Sequence, residues 1–155
     1  MRILLTGVGG PAAISVWKSL KDEHELYMAD IDPLAAGLYL VPAMQRFIVP
    51  RGDTNAFVPF ILDLCQKHKI ELVIATVDSE LAPLAKALPQ FTAAGIRVPL
   101  CPYDVLLLCR DKHALLTYCL EQHVLTDAIP DFVLLTEETL HTIIDFPRFA
   151  KPCLG

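Results

Sequence analysis

Several common signatures are missing from this sequence. Its five cysteines, at 65, 101, 109, 119 and 153, form no Cys-x-x-Cys pair, which removes the usual thiol-metal and dithiol redox patterns. An odd count at loose spacing reads as reduced core thiols of a cytosolic protein. No apolar run approaches the ~18 residues a membrane helix needs. The apolar stretch at the N-terminus is too short for a signal peptide and is soon interrupted by glycine. Basic runs are absent as well: 13 Lys and Arg stand against 18 Asp and Glu, a net charge of −5, so no nucleic-acid surface is expected. None of the five histidines (24, 68, 113, 123 and 141) pairs with another at the spacing of a helical metal site, and they read as surface or helix-end residues. No Ser/His/Asp or Cys/His arrangement stands out, and Ser79 lies in no nucleophile elbow. Glycine is scarce too, and three of the seven fall at positions 7, 9 and 10.

That cluster organises what is present. Met1–Pro11 reads MRILLTGVGGP: a short apolar run, a glycine turn, and a helix opening at Pro11. Strand, glycine turn and helix start in this order open a Rossmann-like unit. Glycine permits positive φ and close backbone approach, and proline suits the first helical turn. The chain has 155 residues, 54% of them hydrophobic, enough for one domain, or one domain plus a fragment, with a substantial core.

Along the chain, Ala13, Val16, Trp17 and Leu20 repeat at helical spacing. Leu26–Ala29 predicts a second strand followed by Asp30 and Asp32, and Pro33–Leu38 a short helix. Phe47–Val49 predicts a third strand, and Asp53 or Thr54 a cap for the helix carrying Phe57, Phe60, Ile61, Leu64 and Cys65. Leu72–Ala75 predicts a fourth strand, Asp78–Glu80 a capped helix running to about Leu88, and Ile96–Val98 a fifth strand. The alternation predicts an α/β fold, a Rossmann-like parallel sheet with helices on both faces. Four loops then share the C-terminal edge of the strands, Gly7–Pro11, Asp30–Pro33, Pro50–Asp53 and Thr76–Glu80, where such sheets bind ligands. From Pro102 the pattern changes. A helical turn at Val105–Cys109 precedes a helix capped by Asp111, with Leu115, Leu116 and Cys119 on its inner face and Lys112 beside them. Phe132–Leu135 predicts a strand, Thr136–Ile144 a helix, and Phe149–Ala150 the start of a last strand.

The candidate site residues each carry two or more readings. Gly7-x-Gly9-x-x-Ala12 with Asp30 or Asp32 downstream fits a dinucleotide fingerprint, a phosphate or carboxylate site, or a purely structural turn; no Walker lysine follows it. Asp78-Ser79-Glu80 is either a helix start with acids in its first turn or a pair of carboxylates for a substrate ammonium. Lys112, at the electrostatically wrong end of its helix, and Lys151 are either solvated or cations for phosphate oxygens.

Together, RILLTGVGGPAAISVWKSL, the acids of MADIDPLAAG, VIATVDSELAPLA, CRDKHALLTYCLEQH, and IPDF followed by FPRFAKPCLG resemble one family. The chain resembles the amino-terminal part of ATP-grasp proteins related to the carbamoyl phosphate synthase large subunit and the pyrrolysine-biosynthesis ligase. The resemblance implies a Rossmann-like pre-ATP-grasp domain over residues 1–103. The incomplete beginning of an ATP-grasp domain would then follow over residues 104–155. It also implies an ATP-dependent carboxylate–amine ligase working through an acyl phosphate, with ATP and magnesium as cofactors of the complete protein. Lys112 and Lys151 would contact nucleotide phosphates, and Gly7, Gly9, Gly10, Asp30, Asp78 and Glu80 would line the second-substrate site. The resemblance assigns this chain no catalytic residue and no metal ligand.

The chain ends at Gly155, where the family's glycine-rich loop over the phosphates would begin, so the expectation is a truncated piece, inactive alone, in a cytoplasmic protein. Its expected partners are small carboxylate and amine substrates, neither nucleic acid nor membrane, with a partner chain or a homo-oligomer completing it. The rival expectations are a small Rossmann module binding NAD(P) or another nucleotide at Gly7–Ala12, and a non-catalytic interaction subunit.

Overall fold

The computed structural model describes residues 1–143 and 147–154. The chain forms two compact units, Met1–Tyr103 and Asp104–Gly155.

The first unit holds β1 (Arg2–Thr6), α1 (Pro11–Leu20), β2 (Glu25–Asp30), β3 (Arg46–Ile48), α2 (Phe57–His68), β4 (Leu72–Ile74), α3 (Asp78–Lys86) and α4 (Leu88–Ala93). All strand pairs are parallel, and the spatial order is β3-β2-β1-β4. Period-2 alternation sorts the side chains to two faces. Ile3, Leu5, Leu26 and Met28 pack with Ala13, Val16, Trp17 and Leu20 of α1. Leu4, Tyr27 and Ala29 pack with Phe57, Ile61 and Cys65 of α2, Leu84 of α3 and Phe91 of α4. Helices therefore cover both faces, as the alternation predicts, and all four loops at the strand C-termini lie on one edge.

Several local expectations need correction. The stretch after Asp32 forms 3₁₀ turns at Ala36–Leu40 and Ala43–Gln45 instead of a helix over 33–38. The reason lies in Gly37, whose N–H donates to the Val8 carbonyl at 3.1 Å and ties this segment to the glycine loop. Ile96–Val98 makes one isolated bridge, Leu72 to Arg97, and no strand. Neither Asp53 nor Thr54 caps α2: Asp53 pairs with Arg51 at 3.0 Å, and the Thr54 hydroxyl donates to the Arg51 carbonyl at 2.7 Å. The helix expected from Asp78 to Leu88 ends at Lys86, and its N-cap, Val77, has no side-chain cap. Of the five free thiols, only Cys65 is buried; Cys101 and Cys109 are exposed. The core-thiol reading therefore holds for Cys65, where burial pushes the pKa up to about 12.

The second unit is helical, with α5 (Tyr103–Arg110), α6 (Lys112–Glu121), a 3₁₀ turn at Thr126–Ala128 and α7 (Glu137–Leu140). The Asp111 carboxylate accepts from the Ala114 N–H at 3.0 Å, the expected N-cap. Phe132–Leu135 and Phe149–Ala150 are not strands. The helix expected over 136–144 is a single turn, capped by Thr136 and Thr139 on each other, and Ile144 lies outside the described residues. No residue of α6 is fully buried.

Gly37 offers a direct check on the packing beneath the glycine loop. A Cβ there would stand 2.1 Å from the Val8 carbonyl oxygen and 2.7 Å from Val8 Cβ. Backbone on the receiving side cannot rotate away, so Gly37→Ala is expected to destabilise the fold by about 2–3 kcal/mol, read as a lower urea midpoint. An unchanged midpoint would contradict this packing.

Candidate functional site

The strand order reverses direction at β1: β2 and β3 lie to one side, β4 to the other. In open parallel sheets the ligand crevice forms at this reversal, outside the strand C-termini. Here the flanking loops are Gly7–Pro11 after β1 and 76–80 after β4.

The chain's own side chains fill the crevice. The Thr6 hydroxyl, at the end of β1, donates to Glu80 Oε2. Both residues are buried, Thr6 at 0% and Glu80 at 3% exposure. The Thr76 hydroxyl donates to the carbonyl oxygens of Thr6 at 2.8 Å and Gly7 at 3.2 Å, which joins the β1 and β4 loops. Gly52, from the loop after β3, lies directly against Glu80. A Cβ at Gly52 would meet Glu80 Cγ at 2.7 Å and its Cα and N at 2.9 Å. Three loops thus converge on one carboxyl group. Burial disfavours its charged form, and the negative charge of Asp30 adds to this. The Thr6 bond opposes them only in part, and the Glu80 pKa rises to about 7.

On the other side of β1, Asp30 closes the glycine loop. Its Oδ2 accepts from the Gly9 N–H at 2.7 Å, and its Oδ1 accepts from the Asp32 N–H at 3.0 Å. Gly7 holds φ +66°, with Val77 Cγ2 only 2.1 Å from the place of a Cβ, so this position requires glycine on both counts. Gly10 is the N-cap of α1, with no side-chain cap, and Pro11 follows it at the first helical position.

The structure therefore brings Gly7, Gly9, Gly10, Asp30, Asp78 and Glu80 to one sheet edge. The two lysines lie in the second unit. There the Lys112 backbone N–H and its Nζ both donate to the Cys153 carbonyl, at 3.0 and 3.2 Å. Lys151 Nζ stands 5.6 Å from the centroid of the Phe149 ring. Two lysines far apart in sequence thus belong to segments joined by hydrogen bonds: the α6 N-terminus and the chain at 151–153. Among the described residues, no group of three or more His, Cys, Asp or Glu side chains is placed to hold a metal ion, and no helix is long and apolar enough to cross a membrane.

This architecture agrees with the comparison with known families. The sequence model of the PylC-like N-terminal domain matches residues 3–99, well over half of the chain. The chain belongs to the PylC-like N-terminal domain family. Among solved structures, glycinamide-RNase-transformylase T from Mycobacterium tuberculosis is similar at a TM-score of 0.59 and 14% identity. The alignment covers 79% of this chain and 35% of that one, and at this identity the likeness is one of fold. The present chain thus spans about a third of that protein's length. No curated protein matches it by sequence.

Within the PylC-like domain, four residues essential to the edge escaped the motif reading. Thr6 and Thr76 are ordinary strand and loop threonines in sequence, and Glu80 meets Thr6 across 74 positions. Gly37 closes the MADIDPLAAG stretch without having been singled out, and Gly52 stands outside every quoted motif. Gly52 alone carried a signal, that of an isolated glycine just after the predicted strand Phe47–Val49, which is consistent with close backbone approach.

The raised Glu80 pKa makes stability depend on pH with a definite sign. The native state holds this proton up to about pH 7, whereas the unfolded chain releases it near 4.5, so the native state binds more protons between those values. Stability is then full below the unfolded pKa and falls as pH rises toward 7, by on the order of 3 kcal/mol. Glu80→Gln keeps the acceptor for Thr6 and carries no charge. Thermal melts from pH 4.5 to 8 should show wild type losing stability and the variant staying flat over this contribution. Parallel curves would contradict the buried carboxyl.

Proposed function

We propose that this PylC-like chain is the amino-terminal portion of an ATP-dependent carboxylate–amine ligase that works through an acyl phosphate. The observation that carries the reading is the family match over residues 3–99. It is supported by a fold shared with glycinamide-RNase-transformylase T, of which this chain covers about a third. In this reading a substrate carboxylate oxygen attacks the γ-phosphorus of ATP, ADP departs, and an amine nitrogen then displaces phosphate from the acyl carbon. Lys112 and Lys151 would face the nucleotide phosphates, where cations oppose developing charge. Gly7, Gly9, Gly10, Asp30, Asp78 and Glu80 would line the amine side, where the Asp30 and Asp78 carboxylates favour an ammonium group before it loses its proton, Glu80 being buried and neutral up to about pH 7. Among the described residues, no group of three or more His, Cys, Asp or Glu side chains is placed to hold magnesium. The protein would work in the cytoplasm on two small substrates, with the remaining nucleotide-binding elements supplied by further polypeptide of the same or another chain.

The dinucleotide reading has less support. The acid that would hold a ribose, Asp30, has both oxygens on backbone N–H groups of Gly9 and Asp32.

Acyl phosphates are trapped by hydroxylamine. The native protein that carries this chain is expected to form ADP and a hydroxamate from ATP-Mg, hydroxylamine and its carboxylate substrate. Lys112→Met should slow ADP formation at least about 100-fold, in line with the loss of a phosphate-facing charge. Residues 1–155 alone should give no turnover. Release of AMP and pyrophosphate would overturn the acyl phosphate reading, and so would turnover by the 155-residue chain alone.

A further inference from the structure

The glycine loop has the sequence of an anion site, yet its donors are already in use. The Val8 N–H donates to the Ala29 carbonyl at 3.4 Å and the Gly10 N–H to the Gly7 carbonyl at 3.2 Å. The Gly9 N–H donates to Asp30 Oδ2 at 2.7 Å, and Pro11 has no N–H. Of the loop and the first helical turn, Gly7, Ala12 and Ala13 remain before the Ile14 N–H makes the first intrahelical bond, to Gly10 at 3.4 Å. A phosphate cradle works by aiming several consecutive N–H groups outward, and this loop turns three of them inward.

Electrostatics act in the same direction. Besides the buried, protonated Glu80, the four loops of the sheet edge carry four carboxylates, Asp30, Asp32, Asp53 and Asp78, against one cation, Arg51. Arg51 is itself paired with Asp53 at 3.0 Å. A strongly acidic rim repels phosphate well before contact. The shortest bond from the loop backbone to a side chain goes to Asp30, which is buried at the end of β2.

We propose that Asp30 is the specificity determinant of this edge: its carboxylate occupies the anion position of the glycine loop and turns away phosphate-bearing ligands. The ligand the edge accepts is then an unphosphorylated one, and phosphate recognition belongs to other parts of the protein. This inference rests on the loop geometry and not on the ligase reading, so either can fail without the other.

The test uses the full chain at low ionic strength, titrated with inorganic pyrophosphate and, separately, NADH, while the backbone amide NMR shifts of Gly9, Gly10 and Ala12 are followed. Wild type is expected to show no saturable shift at these amides at millimolar ligand. Asp30→Asn keeps size and one acceptor but removes the charge, and Asp30→Ala also frees the Gly9 N–H. Both are expected to bind pyrophosphate at least ten-fold more tightly than wild type, with Ala above Asn. Saturable wild-type shifts centred on Gly9–Ala12 would overturn the proposal. So would a folded Asp30→Asn that binds no tighter than wild type. Asn is the smaller perturbation and keeps the test valid should the Ala variant fail to fold.

Discussion

The edge of this sheet depends on one buried bond, from the Thr6 hydroxyl to the Glu80 carboxyl. A carboxyl group taken out of water is costly unless it is hydrogen-bonded or neutral, and here it is both bonded and held protonated up to about pH 7. The bond joins the end of β1 to the first turn of α3 across the point where strand order reverses. Gly52 can then lie against Glu80, and Thr76 can bridge to the Thr6 and Gly7 carbonyls. Without this bond the β1 and β4 loops would face each other across an open crevice with an unpaired carboxylate between them.

The first unit was legible wherever local chemistry and tertiary packing agree. The run Ile3–Leu5, the glycine turn and Pro11 at the start of α1 all point to one conformation, and the structure has it. The alternation of strand-like and helix-like segments along the chain was enough to place helices on both faces. Legibility failed where a distant partner decides. The 3₁₀ turn at Ala36–Leu40 carries an apolar pattern that suits a helix, but the Gly37 N–H bond to Val8 holds it elsewhere. Asp53 and Thr54 have the chemistry of a cap, but Arg51 takes both. In the second unit, Phe132–Leu135 has strand composition and no neighbouring strand among the described residues, so its apolar pattern had nothing to pair with.

The site residues divide in the same way. That Asp30 and Glu80 share one edge followed from topology alone, because every parallel strand ends there. What each acid does there did not follow. Asp30 fastens the glycine loop through Gly9 and Glu80 fastens α3 through Thr6, so both stabilise the edge, and of the two only Asp30 also gives it negative charge. Lys112, meanwhile, is held by the Cys153 carbonyl in the other unit, so its segment and that of Lys151 are tied by contacts 41 positions apart, which no local pattern encodes.

The most direct test of this account is the ionisation of Glu80 itself, followed by the carbon-13 shift of its side-chain carboxyl as pH is raised from 3 to 9. A midpoint near 7 would place the carboxyl in the buried bond to Thr6 beneath Gly52. A midpoint near 4.5, the value of a solvated glutamate, would mean that the crevice is open, water reaches the carboxylate, and the edge is not closed by the chain's own side chains.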